Sequence, residues 1–526
     1  MTDGADLAQV HSRNGVMSDT HRPPIAANDP MARRALVLAG GGMRVAYQAG
    51  AIKALFDEGL RFSHADGASG GTINLAALLS GVLPDDLCAR WRALPVKAFA
   101  AFRPVIEYLH ATNMSALGSA SGLTEHVYPA LGIAVERIRA AVGIDGSFNV
   151  CCFDDKTVVP IPHPQLDLLR LVAAASLPIF MPAVVADGKT WTDAVWIKDA
   201  NLMSCVERGA RELWLVWCIG DTPVYHNGAF NQYVHMIEMS AAGALNGELA
   251  MIADINRRIA CGETVFGHDQ PIVVHVIKPE VPLPLDPDFY LGRIDAATLI
   301  DMGYRDARRT LRTGTPAPLD PAASAMREPG AGISFRETMA GGFCLGATDP
   351  QVGERDGSAS ALTMNATIHI EDIAAFVADP RHVGGLTGHI DFAPFGIAMP
   401  SESGVFGLFT PSDDPRLTYM VYEIGFRHEG RSYYLAGKKH VRIGSPLKMW
   451  GETTTLYTTL HEGPDASGAV VGAGVLHLGV PQLVRLMGTV HATNARASGQ
   501  ATHAIWRFFG FFASELWRTY VRRSPS

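Results

Sequence analysis

The sequence is poor in several features that would mark particular protein classes. Charged residues make up only 18% of its 526 positions against 48% hydrophobic ones, which supplies a packed core and excludes a disordered or fibrous chain. It has no basic excess. Lys and Arg number 44 against 52 Asp and Glu, a formal net charge of -8, which excludes a nucleic-acid binder that works by neutralising phosphates. Cysteine is scarce and odd in number, seven scattered along the chain with no Cys-x-x-Cys or Cys/His zinc spacing. Reduced thiols are therefore expected, with no disulfide framework and no structural metal. Long apolar runs are missing too. The most apolar stretch, Leu171 to Ala186, is interrupted by Pro178 and Pro182 and is too short to span a bilayer. The first thirty residues are polar and lack the apolar stretch of a signal peptide, so they read as a flexible arm ahead of Met31. The expected location is cytoplasmic, with contact to a membrane from one side as the furthest departure.

What the sequence does contain is organised in two unlike halves. At about 150 residues per domain, two or three domains are expected. Ala35–Ala39 is a short buried strand ending in Gly40-Gly41-Gly42, and a helical pattern follows from about Met43 to Gly59. A brief segment reaches Asp66-Gly67, and a second helix starts near Gly70 with Ile73, Leu75, Leu78 and Leu79. Strand–helix–strand–helix is the opening of an α/β layer fold. Further strands are expected at Phe148–Phe153, Val184–Ala186 and Leu213–Ile219. Residues 312–332, rich in Pro, Ala and Gly, read as a linker. Beyond it, short alternating runs at Leu362–Ile370, Tyr419–Phe426, Arg431–Ala436, Thr453–Leu460 and Ala469–Leu478 predict a mostly-β barrel or sandwich. The boundaries are thus an arm at 1–30, an α/β domain at 31–311, a linker at 312–332, a β-rich domain at 333–498 and a C-terminal helix at 499–526.

Two glycine-rich turns carry the chemistry. Gly67-Ala68-Ser69-Gly70-Gly71 matches G-x-S-x-G, in which glycines allow a tight strand-to-helix turn that lifts the serine hydroxyl toward a helix N-terminus. Gly40-Gly41-Gly42-Met43-Arg44 ends a buried strand and opens a helix, leaving backbone N–H groups able to hold a phosphate or an oxyanion. It fails as a dinucleotide fingerprint because Val45 stands at the last glycine position, and it lacks the Gly-Lys-Ser/Thr ending of a P-loop. An oxyanion hole facing Ser69 fits better. Among nineteen histidines, His64 lies five residues before Ser69, and His268 and His275, after Asp193, would allow a Ser–Asp–His order, but no local pattern marks them.

A glycine loop followed so soon by the nucleophile, with one strand and one helix between Met31 and Ser69, resembles the patatin-like phospholipase family. A third segment adds to the resemblance: the approach Ala174–Pro182, then Val184–Val195 with Asp193-Ala194, then Gly209–Val216. The likeness covers about residues 33–310. It implies a three-layer α/β/α sandwich and a Ser–Asp dyad without histidine, in which Asp193 takes the Ser69 proton. The amides of Gly40, Gly41, Gly42, Met43 and Arg44 would form the oxyanion hole, and Gly67 and Gly71 the elbow. Arg44 either braces that loop or meets an anionic headgroup. No cofactor is implied, and the partner is a lipid or fatty-acyl ester. Two departures stand out: Ala194 replaces the glycine after the aspartate, and Val45 the glycine after the loop's basic residue. Asp187, in a hairpin-like Asp-Gly, and Asp199 are rival acids. The alternatives to hydrolysis are a lipid-binding protein that has lost activity and an acyl transferase using an acceptor other than water.

In the β-rich half, Ser334–Met339, Gly404–Phe409, Ala436–Lys439 and Trp450–Leu456 resemble a segment found beside some cholesterol-oxidase-like flavoproteins. No flavin-binding loop accompanies them, and recognition of a lipid or sterol-like ligand is the expected role. Glu337, Lys438 and Lys439 read as surface or cross-strand charges. In the C-terminal helix, Ile505, Phe508, Phe509, Phe512, Leu516 and Tyr520 share a face flanked by Trp506 and Trp517, with Arg507, Arg518, Arg522 and Arg523 adding charge. Docking on the β domain is one reading, and an interfacial membrane helix the other.

Overall fold

The computed structural model describes residues 33–95, 99, 116–495 and 499–521. The N-terminal arm and Arg522 and Arg523 lie outside the described residues.

The first half is built on an eight-stranded mixed sheet. Its strands are β1 (Arg34–Leu38), β2 (His64–Ala68), β3 (Asp145–Cys152), β4 (Thr157–Pro162), β5 (Val184–Ala186), β6 (Lys189–Asp193), β7 (Glu212–Val216) and β8 (Val273–Ile277). They run in the order β5-β6-β3-β2-β1-β7-β8, with β4 paired to β3. The contiguous set β3-β2-β1-β7-β8 is parallel. A parallel strand buried on both faces needs an uninterrupted apolar run, and β1 and β7 have one. Leu36, Leu38, Trp214 and Val216 face a core shared with the helices Ala46–Asp57, Gly71–Leu79 and Ala296–Thr313. Ala35, Val37, Leu213 and Leu215 face the opposite core, closed by the helices Leu202–Glu207 and Ala229–Ala260. The result is the expected three-layer α/β/α sandwich.

Strand β3 does the positioning. Strand β4 takes one of its edges along residues 147–152. The other edge is shared end to end by two strands: β2 pairs Ala68 with Asn149, and β6 pairs Asp193 with Val150. Adjacent residues of one strand thereby bring the end of β2, which leads into Ser69, beside the end of β6.

The second half is a closed antiparallel barrel of eight strands, β9 (Gly332–Leu345), β10 (Ala361–Ile370), β11 (Val383–Phe392), β12 (Gly396–Pro411), β13 (Leu417–His428), β14 (Arg431–Arg442), β15 (Thr455–Glu462) and β16 (Ala469–His477). Closure comes from β9, which pairs with both β10 and β16. Closing the sheet leaves no free barrel edge to cap. Alternate residues fill the interior, among them Phe335, Met339, Phe343, Phe392, Phe406 and Leu435. Of the charges read as surface or cross-strand, two are inside and link two strands: Glu337 and Lys439 are each about 2% exposed and form an ion pair at 2.7 Å, with the Tyr422 hydroxyl donating to Glu337 at 2.7 Å. The inward alternation of β9 and β14 puts them there; Lys438, one residue over, stays out.

Two further segments differ from the sequence expectation, and the C-terminal helix follows one of its two readings with a different buried face. Residues 312–332 begin inside the helix Ala296–Thr313, and the remainder packs along the α/β unit. Ala317 N–H donates to Val274 at 2.7 Å, Met326 N–H donates to Asp221 at 2.7 Å, and Ala323 and Met326 are buried. The run from Thr453 starts as the end of a short helix, Met449–Thr454, before β15. The helix Gln500–Tyr520 docks on the barrel, with Phe508 against Phe335 and Phe511 against Phe376. Its buried line runs through Ala504, Phe508 and Phe511, and leaves Trp506 and Trp517 exposed. Among the described residues no helix is long and apolar enough to cross a membrane.

The helix Ala296–Thr313 joins the two halves. Its Asp301 accepts from Arg92 at 3.1 Å and pairs with His389 of β11 at 2.8 Å. Arg308 bridges Glu58 of the α/β unit, at 2.5 Å, and Glu402 of β12, at 2.7 Å.

Candidate active site

Ser69 sits between β2 and the helix Gly71–Leu79 with φ of 47°, a left-handed backbone that a non-glycine residue adopts only when its surroundings hold it there. The turn is held by close packing. A Cβ on Gly71 would strike the carbonyl oxygens of Leu38 and Ala39, so only glycine lets the helix start this near β1. From this perch the Ser69 hydroxyl donates to Asp193 Oδ2 at 2.6 Å, inside the protein. Asp193 ends β6 and is 1% exposed, and its other oxygen accepts the Val195 N–H at 2.9 Å. Its backbone N–H donates to the Ser176 carbonyl at 3.1 Å.

Ala194 does not disturb this turn, because it takes no positive φ and its carbonyl accepts the N–H groups of Ile197 and Lys198. Burial pushes the Asp193 carboxyl up to about 7, against the opposing pull of the hydrogen bonds from Ser69 and Val195. A carboxyl with that affinity exchanges its proton near neutral pH.

The glycine loop runs past the serine. Gly41 and Gly42 have φ of 149° and 59°, and a short 3-10 turn, Gly42–Val45, follows. The Arg44 Nε–H donates to the Gly41 carbonyl at 2.9 Å, so Arg44 braces the loop. Val45 is fully buried against Gly70, which fixes the spacing between loop and elbow. Two amides of the loop already have carboxylate acceptors. Gly40 N–H donates to Asp199 Oδ2 at 3.0 Å, and Met43 N–H donates to Asp286 Oδ1 at 3.1 Å. The Gly41 and Gly42 N–H groups have no acceptor among the described residues.

The loop, Ser69 and Asp193 are therefore brought together, with Gly67 and Gly71 flanking the elbow. The rival acids separate. Asp187 lies in an exposed turn paired with Arg170, away from the site. Asp199 is in the site, but on the loop and not on the serine hydroxyl. The histidines lie elsewhere: His64 contacts Ser63 and the Arg208 carbonyl, His268 the Val206 carbonyl, and His275 stacks on Trp214 at 4.2 Å.

Sequence reasoning missed Asp286. It lies 243 residues from its partner Met43, at the start of a five-residue helix, Asp286–Tyr290, and no local pattern connects the two. Tyr233 was also missed. It packs edge-on against Phe180 and Trp196 at 5.7 and 5.9 Å, and its hydroxyl is pushed up by burial and by the nearby Asp193 charge. Phe180, against Tyr233, is itself exposed, as are Ile179, Ile197 and Phe230, close by in sequence to Phe180, Trp196 and Tyr233.

Comparison with known proteins matches residues 36–205 to the family model described as patatin-like phospholipase. No curated protein matches the sequence. Solved structures similar to parts of the chain include VipD from Legionella pneumophila, at 12% identity over 54% of this chain and 67% of that one, with a TM-score of 0.28. Another is the type III effector protein ExoU, at 11% identity over 54% of each chain, with a TM-score of 0.21.

Proposed function

From the premise of a patatin-like phospholipase domain over residues 36–205, we propose that the chain is a serine acyl hydrolase that cleaves fatty-acyl esters of lipids with Ser69 as nucleophile and Asp193 as base. The observation that carries this reading is the 2.6 Å hydrogen bond from a positive-φ serine to a buried aspartate beside a glycine loop. Ser69 Oγ attacks the ester carbonyl as its proton passes to Asp193 Oδ2. The tetrahedral oxyanion is received by the loop amides, Gly41 and Gly42 first, with Met43 joining if the substrate oxygen displaces Asp286. One such donor contributes roughly 3–4 kcal/mol, or about 10²–10³ in rate. Collapse expels the alcohol, which takes the proton back from Asp193, and leaves an acyl-Ser69 ester. Water then attacks that ester, giving its proton to Asp193, and collapse releases the fatty acid as Asp193 returns that proton to Ser69 Oγ. The exposed Phe180, packed on Tyr233 near Asp193, offers an apolar surface suited to an acyl chain.

The test is mass spectrometry of lipid products after incubation with phospholipid vesicles. Wild type is expected to release free fatty acid and lysolipid, and Ser69→Ala to release none. Fatty acid released equally by both proteins refutes the assignment. Lipid bound without turnover by both would support a binding protein, and acyl products without free fatty acid a transferase.

A further inference from the structure

Asp199 is buried beside the nucleophile, and its partners account for only half of it. It is 0% exposed. Oδ2 accepts the Gly40 N–H at 3.0 Å, while Oδ1 has no hydrogen-bond partner. A Cβ on Gly40 would fall against Oδ1 and 2.6 Å from the Ser69 Cβ, so the carboxyl, the first glycine of the loop and the serine are packed against one another. Glycine at 40 is what allows the three to meet.

We propose that Asp199 is a positioning residue of this site, a neutral carboxylic acid that fixes the glycine loop beside Ser69 and must stay uncharged while Asp193 acts as base. The inference rests on the Ser69–Asp193 reading above and adds the control of its loop. Three observations support it. The two carboxyls share one pocket, and two like charges cannot both ionise there cheaply. Asp193 receives two hydrogen bonds, from Ser69 and Val195, and Asp199 only one, so Asp193 is the acid that ionises first. With Oδ2 accepting from Gly40, Oδ1 is the oxygen left to carry the proton. The charged and titratable groups facing Asp199 are Asp193 from the end of β6, Arg44 from the 3-10 turn and the Cys218 thiol after β7. Burial first, then the Asp193 charge, pushes the Asp199 carboxyl upward, and these outweigh the Gly40 hydrogen bond and Arg44. Ionised, Asp199 would place a negative charge against the amides that must receive the oxyanion.

The prediction is a bell-shaped pH profile with separate owners for its limbs. kcat/KM for a soluble p-nitrophenyl ester should rise as Asp193 ionises and fall at high pH as Asp199 does. Asp199→Asn keeps an acceptor for Gly40 but cannot ionise, and should lose the alkaline fall while keeping the acid limb. Asp199→Ala removes the acceptor and should lower kcat/KM at every pH by about 5-fold, the loss expected for one buried hydrogen bond to a neutral acceptor. A second readout needs no turnover. The melting-temperature advantage of Asp199→Asn over wild type should widen as pH rises above about 4, where an unfolded aspartate is ionised and the buried one still holds its proton. An unchanged alkaline limb in Asp199→Asn, a wild-type rate in Asp199→Ala, or a melting-temperature gap that does not vary with pH would each overturn the proposal. Hydrolysis surviving in Ser69→Ala would instead overturn the nucleophile assignment, and the melting-temperature gap would then decide the role of Asp199.

Discussion

The serine site of the α/β unit and the barrel interior both bury ionisable side chains, and they treat them in opposite ways. In the α/β unit, Asp193 and Asp199 are at most 1% exposed, and neither forms a salt bridge among the described residues. In the barrel, Glu337 is matched to Lys439 at 2.7 Å, and the Tyr422 hydroxyl supplies a further hydrogen bond. Equal burial thus has unequal consequences. An acid buried without a counter-ion holds its proton more tightly and can exchange it near neutral pH, whereas an acid whose oxygens are taken up by a cation and a hydroxyl has none free for chemistry. The first arrangement costs stability and fits catalysis. The second ties β9 to β14 across the barrel interior and fits a structural role.

The sharpest way to break the comparison is to neutralise one acid in each region. Asp193→Asn should lower ester hydrolysis by roughly 10²–10⁴-fold, the usual contribution of a positioned base. The same change should raise the melting temperature. The folded-state affinity of Asp193 lies at about 7, above that of an unfolded aspartate, so its contribution to stability is fully present below the unfolded value and is lost as pH rises through the folded one. The variant escapes that loss, and its advantage should be greatest above neutral pH and vanish toward about pH 4. An Asp193→Asn protein less stable than wild type at alkaline pH would erase the contrast.

The barrel should respond in the other direction. Lys439→Met leaves Glu337 buried with Tyr422 alone and should destabilise the protein by about 3–5 kcal/mol, measured by chemical denaturation. Replacing Lys439 and Glu337 together with apolar residues should recover most of that loss. A Lys439→Met variant as stable as wild type would show that the Glu337–Lys439 contact does not hold the barrel together.

Much of this contrast could be read in the sequence, and part of it could not. Ser69 and the glycine loop are legible because each is a local pattern attached to an apolar strand, whereas Asp193 is implied only by the resemblance of residues 174–195 to the patatin-like family. The carboxylates on the loop are not local. Asp199 and Asp286 reach Gly40 and Met43 across 159 and 243 residues, and the Glu337–Lys439 pair spans 102. The barrel shows the same limit at the level of elements. Strands β13 and β14 alternate clearly, but β11 and β12 carry Gly384, Gly385, Gly388, Gly396, Gly404 and Gly407, which dilute the alternation that marks a strand. Residues 312–332 look like a spacer because Pro and Ala are common there, yet Ala323 and Met326 are buried against the β8 side of the sheet.

A smaller test lies where the two regions meet. Burial disfavours the His389 imidazolium, but the Asp301 carboxylate 2.8 Å away outweighs it and raises its proton affinity. The pair therefore stabilises the fold fully below the unfolded histidine value of about 6.5, and that contribution is lost as pH rises through the raised folded value. His389→Gln should cost about 1 kcal/mol at acid pH and less at alkaline pH, by melting temperature. A loss independent of pH would mean that the contact is made by the neutral ring.

The most direct measurement is the rate at which a fluorophosphonate labels the protein, with the labelled peptide identified by mass spectrometry, across about pH 5 to 9. The account predicts a single adduct on Ser69, forming faster as pH passes about 7, and at least 100-fold slower labelling in Asp193→Asn. An adduct on another residue, or equal labelling rates in the two proteins, would contradict it.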